Sequence, residues 1–190
     1  MSTAYSLDQT FEKIVFSSNI LPMGEYENCT FLQCDFSNAD LSNFNFGDCN
    51  FVSCNFSNVK LFSTTFREAH FADCKLLGMP FHKCNPFLFS VNFENCNLNV
   101  SVFYQLKMKN TRFVNCTLRD TDFSEADLTQ AVFDRCDMAG AIFGSTLLEK
   151  ADFRTAIHYS LDPEQNRMKK AKFSQTGLMG LLLKYNLDIS

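Results

Sequence analysis

Nine cysteines are the first residues in this 190-residue sequence with obvious chemical potential, since thiolates act as nucleophiles, redox centres and soft metal ligands. They stand at 29, 34, 49, 54, 74, 84, 96, 116 and 136. Metal sites use closely spaced cysteine pairs, and secreted disulfide scaffolds are small chains with an even complement. This set is odd in number and spread over more than a hundred residues, so reduced thiols are the expectation. The three histidines, His70, His82 and His158, are dispersed. A nucleophile, a base and an orienting group would meet only by coincidence. No catalytic residue, metal ligand or cofactor is assigned, and an enzyme is not expected.

The spacing of the cysteines has a different meaning, which emerges with the large apolar residues. From Phe31 these recur every five positions, as Phe36, Leu41, Phe46, Phe51, Phe56, Leu61, Phe66, Phe71, Leu76 and Phe81. After a slip of two residues the series resumes at Phe93 and continues through Phe153. Eight of the nine cysteines lie two residues before such a centre, and Cys84 lies two before Pro86, in the same phase, where the slip occurs. Neither a helix of period 3.6 nor a strand of period 2 puts each fifth residue on one buried face. A chain that turns one corner per five residues does, and four corners close a square coil of twenty.

Residues twenty apart should then stack. One column reads Phe31, Phe51, Phe71, Phe93, Phe113, Phe133 and Phe153, and another reads Cys34, Cys54, Cys74, Cys96, Cys116 and Cys136. Both contain one step of twenty-two, which locates a two-residue insertion near 85–88 and predicts a bulge at Asn85, Pro86 and Phe87. The expected fold is all-β, a right-handed quadrilateral β-helix with a short C-terminal α-helix. Parallel stacking holds the thiols too far apart for bridging, so they read as small core residues. Asn and Asp just before many centres read as turn residues that bond nearby backbone.

Solenoid ends need covering. Residues 1–28 keep the period loosely and read as an N-terminal cap, and 29–158 form the repeat body. Residues 159–190 read as a separate closing segment, with Ser174 as N-cap of a helix from about Gln175 to Tyr185. Its apolar residues Leu178, Met179, Leu181, Leu182, Leu183 and Tyr185 surround most of the helix circumference, which suggests a homodimer joined through this helix. No stretch has the roughly 20 apolar residues of a membrane span, and no leader is evident, so a cytoplasmic location is expected.

Charge alternates along the chain. Residues 99–119 carry a net +4 and 120–152 a net −6 within an overall −4. Asp120, Asp122, Glu125, Asp127, Asp134 and Asp137 form the acidic stretch, a candidate partner-binding surface. Phe62, Val102, Tyr104 and Ile142 fall at outward positions, where they could dock another protein.

The repeats Ala-Asp-Leu-Ser-Asn at 39–43 and Ala-Asp-Leu-Thr-Gln at 126–130 resemble the pentapeptide repeat family. The closing stretch, with Asp162-Pro163, Lys170-Ala171-Lys172-Phe173-Ser174 and Gly180-Leu181-Leu182-Leu183, resembles its Qnr and MfpA branch. That resemblance implies a homodimeric, non-enzymatic rod that mimics duplex DNA, binds type II topoisomerases such as DNA gyrase and topoisomerase IV, and modulates fluoroquinolone action without itself binding nucleic acid. A literal mimic of duplex DNA about 34 Å long would carry on the order of 20 negative charges. Lys107, Lys109, Arg112 and Arg119 interrupt any uniform acidic surface, so mimicry here must be local.

Overall fold

The computed structural model describes residues 4–188, so positions 1–3 of the expected N-terminal cap and 189–190 of the closing segment lie outside the described residues. Parallel strands climb one axis. β1 (Ala4–Leu7), β3 (Gly24–Glu27), β5 (Asn45–Gly47) and β7 (Thr65–Arg67) form a four-stranded sheet. The other sheet has seven strands, β2 (Thr10–Glu12), β4 (Thr30–Leu32), β6 (Asn50–Val52), β8 (Ala69–Ala72), β9 (Val91–Glu94), β10 (Arg112–Val114) and β11 (Val132–Asp134). Single bridges such as Asp35↔Asn55 and Asp40↔Lys60 connect successive coils on the two remaining sides. The chain is thus an all-β solenoid with four faces. We number them by their central columns, which begin with Phe31, Phe36, Leu41 and Phe46.

The twenty-residue step holds along the ladder. Phe31 is in register with Phe51, Phe51 with Phe71, and Phe113 with Phe133. Between β8 and β9 the step is twenty-two, as Ala69↔Val91 and Phe71↔Phe93 record. The rings of Phe113 and Phe133 lie 5.0 Å apart and 3° from parallel. Adjacent faces meet edge to face, as Phe31 does with Phe46 at 84°. Each coil therefore satisfies both favoured aromatic geometries, each worth about 0.5–1.5 kcal/mol beyond burial.

The cysteines are buried, but they are more than small hydrophobes. Cys54 Sγ donates to the Phe31 carbonyl, Cys74 Sγ to Phe51 and Cys136 Sγ to Phe113, at 3.2–3.4 Å. On the other faces a hydroxyl takes the same place: Thr64 donates to Leu41, Ser101 to Leu76, Thr121 to Leu98 and Thr146 to Phe123. Each of these hydroxyls adds a second donor to a corner carbonyl of the preceding coil; the Leu41, Leu76, Leu98 and Phe123 carbonyls also accept the Phe44, Met79, Ser101 and Ala126 amides. Desolvation raises the Cys49 thiol to about 12 and pushes Cys84 up as well, so both stay protonated.

Most corners also use a left-handed residue two places after the centre. Asn38, Asn43, Asn58, Asn110 and Asp120 fill it with φ of 54–64°, and Asn and Asp tolerate that conformation better than most L residues. Val100 adopts φ 54° despite its branched Cβ, a strained placement. The expected Asx turns are present, with Ser37, Ser42, Ser124 and Thr129 amides donating to Asp35, Asp40, Asp122 and Asp127.

The closing segment departs from expectation. Residues Thr176–Leu181 and Leu183–Tyr185 form 3-10 turns and no α-helix. Three contacts explain this. A Cβ on Gly177 would lie 2.1 Å from the Tyr159 hydroxyl and one on Gly180 2.4 Å from the Tyr159 carbonyl, so both glycines let this backbone close over Tyr159. Leu161 N–H donates to the Gly180 carbonyl at 2.9 Å, tying that carbonyl to the last coil. Asn186, at φ 48°, ends the second turn. Ser174 Oγ accepts the Gly177 amide, so its capping role is local.

A homodimer through a C-terminal helix is therefore corrected: the element that would build it does not form. The segment is strapped to its own chain instead. Lys184 Nζ bonds Asp162 at 2.6 Å and Glu164 at 2.8 Å, and the Tyr185 hydroxyl donates to Glu164. Leu181 packs against the core. Leu182 is half-buried, and Leu178, Met179, Leu183 and Tyr185 are about half exposed.

Candidate interaction faces

Folding sorts the outward residues by face, a property that linear position conceals. The six acids of the stretch 120–137 come from a little less than one coil, and they consequently ring the rod. Asp134 lies on the first face, Asp137 and Asp120 on the second, Asp122 and Glu125 on the third, and Asp127 on the fourth. Several are already neutralised. Asp137 accepts from Arg119 at 2.6 Å and faces His158 Nδ1 at 2.8 Å; despite desolvation, these two partners hold its carboxyl below the usual range. Asp127 pairs with Lys109 at 3.4 Å and Asp134 with Arg135 at 3.1 Å. Asp120, Asp122 and Glu125 remain without a cationic partner among the described residues, together on the third face and its edge.

Phe62, Val102, Tyr104 and Ile142 also share the third face. Ile20 and Met23, which the sequence reading passed over, extend this apolar strip toward the N-terminal end. Ile20 is 87% exposed, Phe62 66% and Ile142 53%. Tyr104 donates to Glu125 at 3.0 Å and Gln105 to the same carboxylate at 2.8 Å, fixing an acid beside the apolar strip. His82 lies between Phe62 and Tyr104 in one outward column. Its Nδ1 is buried without a partner, and desolvation lowers its pKa. Only the twenty-residue register could have found this grouping, because these residues are up to 122 positions apart.

Residues 85–88 lie on the fourth face, where the register step is twenty-two. Asn85 keeps the column, donating to Thr65 Oγ1 at 3.2 Å and accepting the Phe87 amide at 3.0 Å. Phe89 turns inward while Phe87 and Leu88 project, Phe87 being 72% exposed. The three histidines stay apart: His70 on the first face, His82 on the third and His158 on the second. A groove of about 460 Å³ runs between the last coil and the closing segment, lined in part by Ile157, His158, Met179 and Leu183. No helix among the described residues is long and apolar enough to cross a membrane.

A rod of stacked square coils, filled by its own rings and presenting four nearly flat sides, defines a solenoid repeat protein. The model of a pentapeptide repeat region matches residues 25–86 and 87–157, and the chain belongs to that family. Among solved structures it is similar to trypsin-treated QnrB1, a plasmid-mediated fluoroquinolone resistance protein, with 18% identity, TM-score 0.46 and coverage of 99% of this chain and 98% of that one. It is also similar to HetL of the cyanobacterium Nostoc sp. strain PCC 7120, a protein involved in heterocyst differentiation regulation. There the identity is 13%, the TM-score 0.33 and the coverage 90% and 84%. Likeness at this level carries no functional statement from one protein to another. No curated protein is a significant sequence match.

Proposed function

We propose that this chain is a non-catalytic docking rod that acts on a type II topoisomerase through its third face. One observation carries the choice of face: the exposed apolar residues Phe62, Tyr104 and Ile142 stand on the same side as the uncompensated acids Asp120, Asp122 and Glu125. Apolar contact supplies affinity, and fixed carboxylates select a basic partner surface and steer the encounter. A topoisomerase is such a partner, since it must present cationic surface to duplex DNA. The resemblance of residues 162–183 to the Qnr and MfpA branch supports this choice of enzyme. Mimicry on this reading is confined to one face, consistent with the modest net charge of −4.

The test is a gyrase supercoiling titration with and without a fluoroquinolone. The chain should inhibit supercoiling or relieve the drug's effect, and Asp120→Asn, Asp122→Asn and Glu125→Gln combined should weaken either action at least tenfold. Unchanged supercoiling at saturating protein removes the topoisomerase. A non-topoisomerase partner captured by the rod and lost on Phe62→Ala with Tyr104→Ala would keep the face and replace the enzyme.

A further inference from the structure

The fourth face divides its charge by position along the axis. Its N-terminal half displays Asp8, Glu25, Glu27, Asp48 and Glu68 against a single cation, Arg67. Its C-terminal half displays Lys107, Lys109, Lys150, Arg167, Lys169 and Lys170 against Asp127 and Glu149. The halves thus carry net charges of −4 and +4 from these residues. Counting along the chain hides this, since each coil contributes to all four faces. The strand registers and bridges stack nine levels here, from β1 through β3, β5 and β7, then the bulge, then the levels of Lys107, Asp127, Leu147 and Arg167. The bulge is the fifth of nine, so Phe87 and Leu88 project at the midpoint of the face.

We infer that the fourth face pairs with the fourth face of a second copy, side by side and antiparallel, about a two-fold axis through the bulge. A two-fold interface must be self-complementary, and in this arrangement the −4 half of each face meets the +4 half of the other. Antiparallel apposition sets Asp8 against Arg167, Lys169 and Lys170. It sets Glu25 and Glu27 against the level of Lys150 and Glu149, and Glu68 with Arg67 against Lys107 and Lys109, so the strongest opposition of charge is at the two ends of the face. Asp48 comes opposite Asp127, a like pair, but each already has its own cation: Asp48 pairs with Arg67 and Asp127 with Lys109. At the axis Phe87 and Leu88 of both copies supply an apolar centre with a charged rim, the usual anatomy of an interface. An unrelated partner would need one complementary pattern; matching halves about a central apolar knuckle fit a copy of the same chain.

Eight strand spacings by five residues give a face of about 38 by 16 Å. That buries roughly 600 Å² on each copy and about 1,200 Å² in total, the lower edge of stable interfaces. Such a dimer is weak and salt-sensitive, and it leaves the third face free.

Sedimentation in low salt should give twice the chain mass of 21.7 kDa, falling to one chain mass at high ionic strength, where exposed charges are screened. Reversing the acids (Glu25→Lys, Glu27→Lys, Glu68→Lys) should abolish self-association, and so should reversing the bases (Lys150→Glu, Lys169→Glu, Lys170→Glu). Mixing the two variants should restore the dimer, since each reversed half then meets its complement. Circular dichroism checks that both variants fold. All nine native thiols are buried, so Phe87→Cys adds one exposed thiol that should give a disulfide-linked dimer on mild oxidation. A wild-type monomer in low salt overturns the proposal, as does a dimer that survives both reversals. A dimeric Phe87→Cys chain that does not cross-link overturns the position of the axis.

Discussion

At many corners of this rod a single inward residue does two jobs: it fills the gap between stacked rings and donates to a carbonyl of the coil below. The donor is sulfur on the second face and mostly oxygen on the third and fourth, which explains why Cys, Thr and Ser interchange at one repeat position. Thr121 isolates the hydrogen-bonding component. Its hydroxyl is buried and donates to Leu98 at 3.0 Å, so Thr121→Val keeps the volume and removes that bond, while the Leu98 carbonyl keeps the Ser101 amide at 3.1 Å. The expected loss is about 0.5–1.5 kcal/mol in chemical unfolding, and Thr121→Ser should recover most of it. The period placed Thr121 inside. The carbonyl it serves belongs to a residue 23 positions earlier, and no local spacing marks that pairing.

At the scale of elements, the closing segment is set by its contacts with the last coil. Ser174 followed by an apolar run reads as an α-helix by propensity, yet Gly177 and Gly180 weaken a helix by about 1 kcal/mol each. The close approach to Tyr159 then fixes tighter turns. Lys184 completes the closure, and hydrogen bonds from its ammonium hold the Asp162 and Glu164 carboxyls below the usual carboxylate range. Carboxyls depressed in this way stabilise the folded state above their unfolded pKa, about 4, and that contribution is lost as pH falls through their lower folded values. Hydrogen exchange at the Leu161 amide, which bonds the Gly180 carbonyl, should therefore quicken under acid conditions. Lys184→Met should produce the same quickening at neutral pH, with the amides of β6 to β9 unchanged. Equal exchange in both chains at neutral pH would show that the glycine contacts alone hold the segment.

For the molecule as a whole, each coil touches only the coils above and below, so stability is nearly one-dimensional. Phe113 sits mid-rod with no exposed surface, stacked between Phe93 at 5.2 Å and Phe133 at 5.0 Å. Phe113→Ala should cost about 3–5 kcal/mol. It should also uncouple the rod, so that residues 4–98 and 118–188 exchange their amides with separate unfolding free energies. A single cooperative loss across both halves would contradict nearest-neighbour coupling. The same geometry confines any partner to the flat sides, which makes the distribution of charge and apolar surface among faces the functional variable.

The amino-acid sequence alone determined the solenoid, the twenty-residue coil, the interior columns and the bulge near 85–88, because burying every fifth residue admits few other chain paths. It also placed Phe62, Val102, Tyr104 and Ile142 outside. Tertiary structure decided which outward residues are neighbours. Acids adjacent in sequence were dispersed around the axis, distant apolar residues were gathered on the third face, and opposite charges were segregated along the fourth. It also turned the expected helix into a strapped closure. The physical reason is common to these outcomes: five residues turn the chain through a corner, so proximity on the surface follows the twenty-residue stack, and a local run of residues is spread over different faces.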